Sequence, residues 1–340
     1  MSKILVTGAK GFIGGYVVER LLKEGHIVVG VDNMSKYINV EKSYDNHKNF
    51  NFVKADAKSV NLLKTLIHDC DHFIHLASKI GGIAYFIEYA YDLMAENERL
   101  MAAAVDAAIW AHKNHKLKKI TILSSSMIYE STNKWPSVEG DEYLIPPPQS
   151  CYGFQKLATH YWAKGACEQY GLPYTIIIPF NVVGLGETRA IGEKEISSGS
   201  CKLAMSHVVP DLVQKVLKGQ DPLHILGKGN QIRHYTAGED LAEGMYLSLE
   251  NENAIGESFN IATPFGHTVN ELAAIIWEKI NGKKPLSFIN DSSFLYDVQK
   301  RVPSVEKAKK ILNFEAKISL ENSLDVIIPW IEKQIKFGNI

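Results

Sequence analysis

Lys3-Ile-Leu-Val-Thr-Gly-Ala-Lys-Gly-Phe-Ile-Gly-Gly15 restricts this chain more than any other stretch, because it reads as a buried strand that turns abruptly into a helix. Ile4, Leu5 and Val6 form a short apolar run, and Gly8, Gly11 and Gly14 follow at three-residue intervals. Phe12, Ile13, Val17, Val18, Leu21 and Leu22 then recur at helical spacing. Gly8 permits the tight turn, Gly11 lets backbone approach a pyrophosphate at the positive end of the helix, and Gly14 lets helix and strand pack closely. A second apolar run, Ile27-Val-Val-Gly-Val31, ends in Asp32. An acid there accepts hydrogen bonds from adenosine ribose hydroxyls and repels a 2′-phosphate, which favours NAD over NADP. The plainer alternative makes Asp32 a turn residue before Asn33.

The 340 residues suffice for one large or two closely joined domains. A net charge of -1 gives no electrostatic case for nucleic acid or an anionic membrane surface. No apolar run approaches the roughly 18 residues of a membrane span. The first strand begins at residue 3, leaving no room for a signal peptide, so a cytoplasmic location is expected. Cys70, Cys151, Cys167 and Cys201 have no metal-ligand spacing and read as reduced thiols, with no metal site.

Further along, Phe52 to Asp56 reads as a third strand ending in an acid, followed by Ala57. Asp56 is placed either to hydrogen-bond adenine or to cap the helix starting near Ser59. His72 to Ala77 is the fourth strand, with His75 a packed core histidine rather than a catalyst and with Ala77 and Ser78 forming a close-packed floor under the cofactor. A long helix spans about Ile87 to His115. Asn97 within it either satisfies a neighbouring backbone or catalytic lysine, or lies at the surface. Lys119 to Ser124 is the fifth strand, leading into Ser124-Ser-Ser-Met-Ile-Tyr129. Tyr152 and Lys156 then share one face of a helix running to about Gln169. That spacing lets an ammonium lower the phenol's pKa, making the tyrosine a usable base, with a serine hydroxyl sharing the substrate proton. Alone, such a pair is more often a helix surface contact.

With these features in this order, the chain resembles the extended short-chain dehydrogenase/reductases, specifically the nucleotide-sugar epimerases and dehydratases. The resemblance also covers His75-Leu-Ala-Ser78, Pro179-Phe-Asn-Val-Val-Gly184, Gly227-Lys-Gly-Asn-Gln-Ile-Arg233 and the stretch headed by Arg301. It implies an α/β fold: a Rossmann doubly wound parallel sheet with a smaller interleaved substrate cap. Residues 1–185, joined by about 226–265, would form the NAD-binding part, and 186–225 with 266–340 the cap. NAD would be held by Gly8, Gly11, Phe12, Ile13, Gly14, Asp32, Asn33, Asp56, Ala57, Leu76, Ala77, Ser78, Asn97, Tyr152, Lys156 and Pro179. Tyr152 would be the base, Lys156 would tune it, and Ser125, with Ser126 as neighbour, would be the serine. A nucleotide-diphosphate sugar would meet Lys79, Gly81, Gly82, Ser126, Met127, Asn181, His207, Val208, Arg233 and Arg301, the arginines holding its diphosphate. The family also implies a homodimer built through a four-helix bundle.

Departures from the family narrow the reaction. The 4,6-dehydratases generally carry an Asp-Glu-like pair where this chain has Ser126 and Met127, and a thioether transfers no protons. Lys79-Ile-Gly-Gly and Ser206-His-Val-Val-Pro210 look like the GDP-fucose synthase and GDP-mannose 3,5-epimerase branch, whose histidine, matching His207, pairs with a cysteine where Met127 stands. Cys151 or Cys201 would have to reach the site from elsewhere. His207 is thus either catalytic, a substrate contact or a structural histidine. Glu130 and His234 also depart from the pattern, without an evident chemical meaning. Gly186 to Ser206 reads as a mobile loop. Epimerisation at C4 through a 4-keto sugar is expected, with 3,5-epimerisation or dehydration as an alternative and a non-catalytic NAD sensor or scaffold as a minor one.

Overall fold

The computed structural model describes residues 1–37, 41–81, 88–187, 196–203, 207–292 and 297–340. At its centre lie seven strands: β1 (Lys3–Thr7), β2 (Ile27–Asp32), β3 (Phe50–Lys54), β4 (His72–His75), β5 (Lys119–Leu123), β6 (Tyr174–Pro179) and β7 (Glu257–Ile261). They run parallel in the order β7-β6-β5-β4-β1-β2-β3. The order reverses beside β1, where the chain leaves for β2 and β3 and returns to β4, opening a crevice at the carboxyl ends of these strands. A parallel sheet is covered on both faces, so its strands read as continuous apolar runs; Ile4, Leu5 and Val6 are all completely buried.

The helices are α1 (Phe12–Lys23), α2 (Val60–Ile67), α3 (Ala90–Asn114), α4 (Cys151–Tyr170), α5 (Val208–Leu217), α6 (Gly238–Leu249), α7 (Val269–Asn281) and α8 (Leu320–Lys336). Side chains alternate across a strand, so Ile4 and Val6 join Val18, Leu21 and Leu241 from α1 and α6 in one core. Leu5 joins Leu63, Ala104 and Leu157 from α2, α3 and α4 in the other. A third core, with Leu212, Val213, Leu272, Ile276, Leu324 and Ile327, joins α5, α7 and α8 to the strand Leu223–Leu226. Each such side chain contributes about 1.5–3 kcal/mol by leaving water. That separate core gives the cavity its wall opposite the sheet. Among the described residues, no helix is long and apolar enough to cross a membrane.

The third strand lies two residues earlier than the sequence suggests, because Phe50 rather than Asp56 pairs into the sheet, opposite Val28. Helix α2 is capped by Ser59, whose Oγ accepts from Leu62 N at 3.4 Å; Asp56 instead closes a turn by accepting from Lys58 N. The long helix begins at Ala90, and Ile87 lies outside the described residues. Ile196–Ser198 and Cys201–Leu203 pair as an antiparallel hairpin inside the segment read as a loop, closed by Gly199 at φ 57°. The parallel pairing of Phe288–Asp291 with Leu223–Leu226 has no counterpart in the sequence reading.

Strand β4 makes the fold acid-sensitive. His72 and His75 are both buried, and burial pushes their imidazoles down, to about 4 and about 3 respectively. Both are neutral in the folded chain, whereas in the unfolded chain they protonate near the ordinary value of about 6.5. Their stabilisation is therefore complete above pH ~6.5 and is lost as pH falls toward 4, at up to about 1.4 kcal/mol per pH unit for each. Urea midpoints should drop steeply between pH 6.5 and 4.5, and less steeply in His72→Asn; equal slopes in the two proteins would contradict this assignment.

Candidate active site

A cavity of about 800 Å³ occupies the crevice between the sheet and the cap, toward the upper end of the range for small-molecule sites. Gly8, Gly11, Phe12, Ile13 and Gly14 form one wall. Gly8 sits at φ 72°, and a side chain there would meet Ala77 N at 2.9 Å. At Gly14 a Cβ would stand 1.9 Å from the carbonyl oxygen of Gly8, whereas at Gly11 it would meet only that oxygen, at 3.1 Å. The turn is therefore closed on the sheet side and open toward the cavity, a fit for a dinucleotide's diphosphate at the start of α1. Gly14→Ala should cost about 3 kcal/mol or more, since backbone cannot yield to the added methyl, and should release NAD; urea unfolding and cofactor content measure both.

Asp32 is held by two backbone amides, accepting from Lys10 N at 3.0 Å and Met34 N at 2.8 Å. It borders the cavity together with Asn33, Asp56 and Ala57, so its turn role does not take it away from the cavity. Asp32→Ala should weaken NAD about tenfold, as expected for hydrogen bonds to a charged group, and reduce discrimination against NADP; unchanged affinities for both cofactors would leave only the turn role. Leu76, Ala77, Ser78, Lys79 and Pro179 line the floor. Asn97 does not reach this cavity. It is buried and clamps the backbone of Lys79, accepting from Lys79 N at 2.6 Å and donating to Lys79 O at 3.0 Å. Gly81 is buried away from the cavity, and Gly82 lies outside the described residues.

Tyr152 lies near the start of α4, where Ser150 is the cap and its Oγ accepts from Gly153 N at 3.0 Å. Glu130 fixes that cap by accepting from Ser150 N at 3.1 Å and Ser150 Oγ at 2.5 Å. A side chain at Gly153 would meet Glu130 Oε2 at 2.8 Å and Met127 O at 2.9 Å. That closeness presses the helix onto the serine loop. The phenol of Tyr152 shares the cavity wall with Ser125, whose Oγ accepts from Met127 N at 3.2 Å. Burial pushes the phenol up to about 12, against the hydrogen bond from Ser125 and the charge of Arg301, both of which favour the phenolate. Lys156 is not what lowers it. The ammonium donates to Leu123 O at 3.2 Å, lies 5.9 Å from the centre of the phenol ring, and is itself pushed down to about 8 by burial. Ser126 and Met127 border the cavity as well.

On the cap side, Arg233 pairs with Asp297 at 3.2 Å. Arg301 has no carboxylate within salt-bridge distance among the described residues, and its enclosed Nε has no hydrogen-bond partner. Burial and the like charge of Arg233 push Arg301 down to about 9. Two guanidinium groups thus face the cavity with one ion-paired carboxylate between them, a local excess of positive charge that calls for an anion. Three further buried atoms without partners border the same space: Asn181 Oδ1, Gln231 Oε1 and Tyr235 Oη. Asn181 is also held at φ 38°, a conformation uncommon outside glycine and concentrated at functional sites.

The model of the NAD dependent epimerase/dehydratase family matches residues 4–262. The chain belongs to that family. UDP-glucose 4-epimerase from Halalkalibacterium halodurans is 29% identical over 96% of this chain and 95% of the relative. UDP-glucuronic acid decarboxylase 1 from Danio rerio is 25% identical over 98% of this chain and 74% of the relative. The solved UDP-glucuronic acid 4-epimerase from Bacillus cereus, in complex with UDP-glucuronic acid and NAD, is 26% identical, with a TM-score of 0.80 over 97% of this chain and 99% of that one.

Within this epimerase/dehydratase site, His207 and Val208 border the cavity, and His207 forms an ion pair with Glu187, a residue the sequence reading did not single out. Burial works against the imidazolium, but the charge and hydrogen bond of Glu187 outweigh it and raise the pKa. His207 precedes α5 without capping it. Cys151 and Cys201 do not border the cavity. His234 Nδ1 donates to Thr263 O, 2.9 Å away, and has a structural role.

Proposed function

We propose that this epimerase inverts C4 of a nucleoside-diphosphate hexose through a transient 4-keto sugar. The observation that carries the reading is Ser125 and Tyr152 together on a cavity wall that runs from the dinucleotide-shaped glycine turn to the two arginines. NAD would be held by the glycine turn, Asp32 and Lys156, and when bound it supplies the acceptor and donor for the C4 hydride. Tyr152 takes the proton of the C4 hydroxyl and returns it to the same oxygen once the sugar has turned its opposite face, while Ser125 shares that proton. Oxidation requires the phenolate, which the Ser125 hydrogen bond and the charge of Arg301 favour. Arg233 and Arg301 grip the diphosphate as the sugar turns. Met127, packed against Tyr152 and Leu93, is apolar where elimination of water would need an acid or base.

One observation favours a second reading: the Glu187–His207 pair faces the cavity and is a ready proton carrier for exchange at C3 or C5. NMR of UDP-, GDP-, CDP- and dTDP-hexoses incubated with the enzyme in deuterated water separates the two. Inversion at C4 without deuterium uptake supports the first reading, and deuterium at C3 or C5, or loss of water, supports the second. We also propose a homodimer through α3 and α4, because Tyr91, Phe154 and Tyr161 are large side chains exposed on these helices. Light scattering at micromolar concentration that returns a monomer would remove it.

A further inference from the structure

The helix face that carries Tyr152 and Lys156 continues to His160, one further step of four residues along α4. His160 lies behind the cavity rather than on it, and the C4 chemistry leaves it unused. Its Nε2 stands 2.8 Å from Oγ of Ser124, a residue at the end of β5 that does border the cavity. Ser124 Oγ also donates to Lys156 O at 3.4 Å. On the other side of the ring, Nδ1 stands 3.3 Å from Glu142 Oε1 and 3.5 Å from the hydroxyl of Tyr143. Neither the His160 nor the Glu142 side chain has any exposed surface. Glu142 belongs to the turn Asp141–Tyr143, and its other oxygen accepts from Gly140 N at 2.7 Å. Burial works against that carboxylate, but His160 and the Gly140 amide outweigh it and hold Glu142 below the usual carboxylate range.

A buried imidazole beside a buried carboxylate is a poor way to stabilise a fold, since apolar side chains of similar volume often do as well or better. What the pair supplies is direction. The carboxylate fixes the ring, the ring fixes the Ser124 hydroxyl, and the hydroxyl ties the end of β5 to α4. Lys156 makes a second tie by donating to Leu123 O at 3.2 Å. Ser125 directly follows Ser124, and Tyr152 lies about two helical turns before His160. The chain Glu142–His160–Ser124 therefore joins the two elements whose side chains must meet the same C4 hydroxyl. We infer that His160, held by Glu142, is a positioning residue that sets Ser125 against Tyr152 through its contact with Ser124. An error of about 1 Å in such an alignment costs about a hundredfold in rate. The inference rests on the C4 reading above.

Turnover per NAD-loaded site, measured together with KM for the converted nucleotide hexose, tests it. His160→Leu should lower kcat about 10- to 100-fold while KM and NAD content stay within about twofold. His160→Gln places an amide where Nε2 stood and should recover most of that loss. His160→Asn is too short to reach Ser124, meets only the Glu142 side, and should stay slow. The combined His160→Leu and Glu142→Leu variant should resist urea at least as well as the unaltered enzyme, yet turn over as slowly as His160→Leu. A kcat within about twofold of normal in His160→Leu would overturn the positioning role alone. Equal recovery in His160→Gln and His160→Asn would do the same, as would a loss of turnover that follows NAD content. Absence of C4 inversion by the unaltered enzyme would overturn the C4 reading together with it.

Discussion

Tyr152→Phe is expected to lower turnover by about 10³-fold or more, within the range spanned by loss of a general acid–base group, while leaving bound NAD and thermal stability nearly unchanged. The phenol is only 4% exposed and its ring packs with Leu93 and Met127, contacts that phenylalanine keeps. What disappears is the hydroxyl, on the same cavity wall as Ser125. Ser125 cannot replace it, because a serine hydroxyl has no tendency to ionise near neutral pH and its oxygen already accepts from Met127 N. Stopped turnover with retained cofactor separates loss of the proton carrier from loss of the site. Near-normal turnover would show that Tyr152 is not the base.

Arg301→Met is expected to act in opposite directions on binding and on stability. Removing one partner of a buried charged contact costs about 2–5 kcal/mol in binding, so the dissociation constant for the nucleotide sugar should rise at least about 30-fold, a factor of ten being 1.4 kcal/mol. The unliganded protein should be no less stable, and by up to a few kcal/mol more so, since a desolvated cation beside Arg233 is replaced by an apolar chain of similar length. Calorimetry and urea unfolding read the two effects. Unchanged affinity, or a clear loss of stability, would assign Arg301 to the fold rather than to the diphosphate.

The parts of this site written in local sequence were legible, because each rests on contacts within a few residues. Gly8, Gly11 and Gly14 define a turn whose closure depends on their own backbone, and Tyr152 and Lys156 share a face through helical spacing alone. Pairings between distant segments were not. Glu130 meets Ser150 from twenty residues away, Asn97 holds Lys79, and Glu187 reaches His207 only once the loops after β6 and before α5 converge on the cavity. Neither periodicity nor spacing encodes such meetings. Gln231 lay inside a stretch already tied to the diphosphate, and its polarity beside Arg233 was a signal that could have been used. The balance around Tyr152 was misread for a related reason: helical spacing brings Lys156 near the phenol but does not aim the ammonium, which turns to Leu123 O, and the lowering charge comes from Arg301, about 150 residues later in the chain.

The measurement that tests the central claim most directly is the fate of deuterium placed at C4 of the sugar. The converted nucleotide hexose should carry the label at C4 in the inverted configuration, with none released to water, because one hydride leaves that carbon and returns to it inside a closed site. A product inverted at C3 or C5 with the label unmoved at C4, or one that has lost the label to solvent, would contradict inversion at C4 by hydride return and leave the Glu187–His207 pair as the proton carrier of a different reaction.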